Sequence, residues 1–324
     1  MTDPWPLSLA DVTAARRIIE PWLVPTPLRS YALLDEAVGH GVKVLVKHEN
    51  HQPTNAFKAR NGLVCLAKLT DAERSHGVVT ATRGNHGQGV AWAGGLLGIE
   101  STVCVPVGNN PEKNDLMRAF GAELIEKGDT YDDAVEVALE LVESRGLTFI
   151  HSTNDLGVLA GAATIALEVF DQADSVDAFV ISIGGGSQAV GALTVARELA
   201  PEAEVFGVQA AAAPTIHDSW HAGERRPGGI EPTLADGLAT GDIYDATFST
   251  LQEGLADFLT VTEEEIAASI RLLLRTTHNL AEGGGATGLA GLLKLAPRLA
   301  GKTVVVYLGG GNIDAASLRR VLAT

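Results

Sequence analysis

His48-Glu49-Asn50-His51-Gln52-Pro53-Thr54-Asn55-Ala56-Phe57-Lys58-Ala59-Arg60 is the stretch on which the reading of this chain turns. It follows a strand-like apolar run, Val42 to Val46, breaks at Pro53 and Asn55, and enters an apolar helical pattern from Gly62 to Ala67. Thr54 or Asn55 is the expected N-cap, which puts Lys58 in the first helical turn. A helix N-terminus carries partial positive charge and disfavours a second cation. A lysine placed there loses its proton more readily, and a neutral amine can attack a carbonyl carbon. The plain alternative is a solvated surface lysine, because a lysine becomes reactive only where burial or neighbouring cations assist.

The rest of the chain alternates strand and helix. Strand-like runs at Val42–Lys47, Gly77–Ala81, Ser101–Val107, Ala122–Glu126, Leu147–Ile150, Ala178–Ile183, Val205–Gln209 and Thr303–Leu308 are separated by helical patterns. Those patterns include Asp11–Leu23, His86–Leu97, Pro111–Phe120, Tyr131–Ser144, Leu156–Phe170, Gln188–Leu199, Val261–Thr277, Ala286–Leu295 and Ala315–Leu322. Such alternation predicts an α/β fold with parallel sheets covered by helices on both faces. Residues 210–256 show little periodicity, and no element is assigned there. The chain has 324 residues, enough for two domains, and 46% hydrophobic residues, which suits a globular chain.

Charge narrows the partners. Lys+Arg total 24 against 40 Asp+Glu, a formal net charge of -16, which argues against nucleic acid and anionic membranes. Cys65 and Cys104 are isolated, as expected in a reducing compartment. Met1 to Leu9 lacks a basic region before an apolar run and does not read as a signal peptide. No apolar run is long enough to span a bilayer, so the expected location is cytoplasmic.

Three glycine-rich spots follow apolar strands, where open parallel sheets present ligands. The first is Arg83-Gly84-Asn85-His86, with Asn85 opening a helix. The second, Gly184-Gly185-Gly186-Ser187, precedes the helix from Gln188 and suits a phosphate: glycines let backbone N–H groups converge on an anion, and the helix dipole adds to them. A dinucleotide fingerprint and a nucleophile elbow both fail at Ala189, and no Lys-Ser/Thr pair follows for a P-loop. The third spot is Gly309-Gly310-Gly311-Asn312.

Taken together, these motifs resemble those of the threonine/serine dehydratase and serine racemase group of fold type II pyridoxal-phosphate (PLP) enzymes. Phe57-Lys58 matches the pair whose lysine holds the cofactor as a Schiff base, and Glu49, Asn50, Gln52, Pro53 and Thr54 match its lead-in. The usual serine before the Phe is Ala56. The resemblance implies cofactor contacts from Phe57, Lys58, Asn85, Gly184, Gly185, Gly186, Ser187, Glu282 and Gly309, and substrate contacts from Thr54, Arg83, Gly84, Asn85 and His86. Asn85 would face the ring hydroxyl and the loop amides the substrate carboxylate. Related enzymes usually carry serine, facing the pyridine nitrogen, where this chain has Gly309, and serine as a second acid/base where it has Arg83. Thr233 to Leu238 and Ala281 to Ala286 also match family segments.

The fold so implied is that of fold type II PLP enzymes (tryptophan synthase β-like), with two parallel-sheet domains. The larger combines about residues 1–50 and 150–324; the smaller spans about 51–149. The implied reaction is β-elimination on a β-hydroxy amino acid such as threonine, serine or 3-hydroxyaspartate, giving a keto acid and ammonia with Lys58 as general base. Racemisation, β-replacement, or PLP binding with little catalysis are the alternatives. A homodimer or higher homo-oligomer is implied as well. No metal is expected: Gln209 and Thr215 stand where some relatives place carboxylates for a divalent cation, and His217-Asp218-Ser219-Trp220-His221 misses the zincin pattern by its Asp.

Overall fold

Strand residues alternate between two faces, and Thr303–Leu308 shows the consequence. Val305 and Tyr307 join one apolar cluster with Phe179, Ile181, Leu63 and Leu159. Val304 and Val306 join another with Val44, Val46, Val180, Phe206, Leu289 and Leu292. A strand buried on both faces belongs at the centre of a helix-covered sheet, and the computed structural model, which describes residues 5–323, puts it there. The first four residues of the N-terminal stretch judged not to be a signal peptide lie outside the described residues.

The strands are β1 (Leu28–Ser30), β2 (Lys43–His48), β3 (Val78–Ala81), β4 (Ser101–Val105), β5 (Glu123–Glu126), β6 (Thr148–Phe149), β7 (Ala178–Ser182), β8 (Glu204–Ala210), β9 (Asp257–Val261) and β10 (Thr303–Leu308). They form a six-stranded sheet in the order β1-β2-β10-β7-β8-β9 and a four-stranded sheet in the order β5-β4-β3-β6. All pairings are parallel except β1 with β2, so the larger sheet is mixed rather than purely parallel. β1 is three residues long, too short for a periodic signal, and is exposed along most of its length.

Other elements depart from the expected pattern. Residues 210–256 contain two helices, Thr215–Ala222 and Asp245–Gly254, and β9 follows directly. Neither Thr54 nor Asn55 caps the Lys58 helix. It runs Lys58–Ala67 behind Phe57, with no capping side chain. Asn55 sits in a left-handed turn (φ 54°). Ala56 then pairs antiparallel with Gly310, and Phe57 N–H donates to the Gly309 carbonyl at 2.9 Å. Backbone pairing with the β10 exit therefore sets the helix start.

Two features hold that helix. Gly62 and Gly89 let it approach the helix Asn85–Leu97 closely: a Cβ on Gly62 would fall 2.3 Å from the Gly89 carbonyl oxygen, and one on Gly89 would fall 2.3 Å from that of Lys58. On its other side, the fully buried Arg60 reaches two acids. Its Nε lies 2.7 Å from Glu49 and its Nη1 2.6 Å from Glu168. Lys47 Nζ also meets Glu168, at 2.6 Å, and Thr26 and Gln52 donate to Glu49. Burial opposes the Arg60 charge, but Glu49 and Glu168 outweigh it and raise its pKa. Removing one member of a buried ion network strands the rest, at a cost of about 3–5 kcal/mol. Arg60→Met should therefore lower the unfolding free energy by that amount in urea titration; unchanged stability would contradict this role for the network.

Candidate active site

The order β2-β10-β7 makes the exits of three strands neighbours. β2 leads to Lys58, β10 to Gly309–Gly311 and β7 to Gly184–Gly186, and β2 and β10 end in register, Leu308 opposite His48. Segments distant in sequence thus meet at the carboxyl ends of parallel strands, where open α/β sheets bind ligands. From the other sheet, β3 delivers Gly84, Asn85 and His86.

Lys58 is the first residue of its helix and is half-buried. Its Nζ donates to the Ser152 carbonyl at 3.0 Å and lies 5.0 Å from the Phe57 ring centroid. Burial lowers its pKa to about 8, so at pH 7 roughly a tenth is the uncharged amine, far more than for a free lysine. The surface-lysine alternative fails on this burial.

Asn85 is the first residue of its helix, and its side chain faces other polar groups instead of capping. Its Nδ2 donates to Glu282 Oε1 at 2.6 Å, and its Oδ1 accepts from Asn312 Nδ2 at 2.8 Å. Asn312 Nδ2 also lies within 2.9 Å of the Thr54 carbonyl and 2.8 Å of Gln88 Oε1. Glu282 is buried here. Burial pushes its pKa up to about 7, with Lys113 opposing and Asp236 adding to the rise. His86 is buried, its Nε2 3.2 Å from the Ile150 carbonyl, and burial with Lys58 nearby takes its pKa down to about 3. It is a neutral, fixed ring. Thr54 is buried, and its hydroxyl donates to the Ala56 carbonyl. Arg83, by contrast, is exposed and forms no ion pair with any described residue. The expected site residues lie just after the exits of β2, β3, β7 and β10, apart from Glu282, which Asn85 reaches from the β3 exit; Arg83 among them is exposed.

The glycine run is built for close approach. A Cβ on Gly185 would lie 2.1 Å from Thr153 Oγ1, and Gly186 has φ 97°, a left-handed value. Ser187 then opens a helix, whose first N–H groups have no partner within the helix. At the third spot a Cβ on Gly310 would fall 2.2 Å from Glu282 Oε1.

Residues 19–310 match the family described as pyridoxal-phosphate dependent enzyme. This chain belongs to that family. It is 35% identical over 316 residues to an L-threonine ammonia-lyase of Thermotoga maritima, a match covering 98% of this chain and 78% of the relative. Its fold is similar to that of the processed form of threonine deaminase isoform 2 from Solanum lycopersicum (TM-score 0.92, 30% identity, 97% of this chain and 86% of that one). It is also similar to serine racemase from Dictyostelium discoideum (TM-score 0.89, 29% identity, 95% and 99%). The residues present fit a PLP group: an amine of lowered pKa for its aldehyde, a glycine-lined helix start for its phosphate, and a half-buried Asn85 amide for a ring oxygen.

Several cleft residues carried no sequence signal. His151 follows β6 with its Nδ1 accepting from Thr153 and Asn154 N–H, its ring edge-on to Tyr244. Lys113 reaches Asp236 at 2.7 Å across the Gly84 backbone. Gln188 is buried beside Gly309. The strand-exit rule alone could have flagged His151. Away from the cleft, Gln209 Oε1 accepts from His217 N–H. His217 and His221 are engaged by Asp218 and the Phe258 carbonyl, and no group of three metal-ligating side chains occurs among the described residues. The hollow lined by Pro214, Thr215, Asp218, His221 and Arg226 lies there and includes none of the residues around Lys58.

The Glu282 shift is a stability statement. A carboxyl whose folded pKa is about 7 and whose ordinary value is 4.5 holds its proton more tightly in the folded state. That stabilisation is complete below pH 4.5 and is lost as pH rises through 7. Glu282→Gln removes it. Between those pH values the wild type should lose about 3 kcal/mol relative to the variant, read from urea titrations at each pH. Parallel pH profiles would contradict the shift.

Proposed function

We propose that this chain is a PLP-dependent lyase that removes the β-hydroxyl of a small β-hydroxy amino acid, such as threonine, serine or 3-hydroxyaspartate, and releases ammonia. The observation that carries the reading is Lys58: a half-buried amine of lowered pKa at a helix start, beside two glycine runs. The L-threonine ammonia-lyase and threonine deaminase likenesses support it. PLP, when bound, supplies the electron sink that makes an α-proton acidic.

The protein's own residues do the rest. Uncharged Lys58 Nζ takes the α-proton as general base. Backbone N–H groups of Gly184 to Ser187 would hold the phosphate, Asn85 would bond the ring hydroxyl, and amides of Gly84 to His86 would hold the substrate carboxylate. Phe57 packs beside Lys58 Nζ, and Glu282 orients Asn85. Loss of the α-proton and β-hydroxyl removes water; hydrolysis of the resulting enamine gives the keto acid and ammonia. We read about residues 1–50 with 150–324 as one domain and 51–149 as the other, with the site between them. The reading takes the protein to be a cytoplasmic homo-oligomer. No helix among the described residues is long and apolar enough to cross a membrane.

Racemisation is the second reading, favoured by the serine racemase likeness. It needs an acid on the face opposite Lys58. A guanidinium at Arg83 stays charged and is a poor proton donor, so elimination should dominate.

Purified protein should absorb near the visible edge and form keto acid from a hydroxy amino acid panel; Lys58→Ala should lose both. A Lys58→Ala variant with full turnover would reject the assignment. Arg83 is exposed, has no ion-pair partner among the described residues and has the planar fork that suits a carboxylate. Arg83→Ala should lower kcat/KM roughly thirtyfold on the best substrate, and an unchanged value on every substrate would remove Arg83 from the site.

A further inference from the structure

Gln188 is the second residue of the helix that starts at the glycine run. It is only 7% exposed, and its Nε2 is buried without a hydrogen-bond partner among the described residues. Buried donors are almost always satisfied. Leucine or methionine would fill the same volume without stranding a donor, so the amide calls for a partner that no described residue supplies. Its position names a candidate. A Cβ on Gly309 would lie 3.2 Å from Gln188 Nε2 and 3.3 Å from Oε1. The amide therefore occupies the space beside Gly309 that a side chain there would fill.

PLP has four polar features on one ring. The nitrogen lies opposite the carbon that bears the aldehyde, and the phosphate arm and the hydroxyl flank that carbon. With Lys58 taking the aldehyde, the glycine run the phosphate and Asn85 the hydroxyl, the nitrogen is turned away from Lys58. It is the one ring acceptor left without a named partner, and Gln188 is a donor without an acceptor, next to the phosphate run.

We propose that the Gln188 side-chain amide donates a hydrogen bond to the ring nitrogen of bound PLP, from the volume left open by Gly309. This rests on the reading that Lys58 and Gly184 to Ser187 hold the two ends of the group. An amide N–H donates without giving up its proton, so the ring nitrogen stays uncharged. Gln188 and Gly309 then act as a pair: a side chain at 309 would crowd the amide, and without the amide the nitrogen loses its donor.

The test uses holoprotein loaded with PLP carrying 15N at the ring nitrogen. Wild type should show the 15N resonance of a hydrogen-bonded neutral ring. Gln188→Leu and Gln188→Met should each move it toward the unbonded position and weaken PLP binding about tenfold, the loss of one hydrogen bond. The double variant Gln188→Leu/Gly309→Ser, which puts a hydroxyl beside the vacated space, should move the resonance back. If the leucine and methionine variants keep the wild-type resonance and PLP affinity while the visible band is intact, the proposal is overturned and the Lys58 reading stands. A wild type that lacks the visible band overturns both.

Discussion

Arg60 carries a full charge with no exposed surface, and the site is arranged around how that charge is held. Isolated, such an ion costs several kcal/mol to bury. Glu49 and Glu168 balance Arg60 and Lys47, so the network is neutral as a whole. Its members come from the end of β2, the short turn after it, the Lys58 helix and the helix Leu156–Gln172. Geometry at one ion thus fixes four segments relative to one another. Arg60 is two residues from Lys58, so the same bonds that satisfy the guanidinium set where the amine emerges.

The contrast between the two cations explains their different chemistry. Arg60 is paired with two carboxylates and stays charged. Lys58 has a carbonyl and an aromatic ring as neighbours, groups that do not repay the loss of water around an ammonium. Burial alone therefore moves it toward the neutral form. A paired cation and an amine of lowered pKa sit on one helix turn because only one of them faces counter-charges.

The candidate site was legible in the sequence wherever short local motifs mark strand exits. Lys58, the three glycine runs and Asn85 stand at strand exits, and alternating apolar runs placed those exits. What the sequence hid depends on contacts between distant segments. The start of the Lys58 helix is set by Ala56 pairing with Gly310, some 250 positions away, so a local capping rule chose the wrong residue. His151 and Lys113 find their partners only when the two sheets meet, and Gln188 finds Gly309 only when the exits of β7 and β10 come side by side. The antiparallel β1 and the helices within 210–256 are short, and their apolar residues answer to neighbours rather than to a period. Arg83 shows the limit from the other side: its identity was informative, while its direction depended on an exposed loop.

The central claim is that Lys58, and no other lysine, holds the PLP group. Lys113 is also near Gly84, and Lys47 lies close behind the Lys58 helix, so the claim discriminates among real neighbours. The most direct measurement is borohydride reduction of the holoprotein followed by peptide mass mapping. The account predicts one pyridoxyl group per chain, on the peptide containing Lys58. A pyridoxyl group on Lys47, Lys113 or any other lysine, or none on a protein that carries PLP, would contradict it.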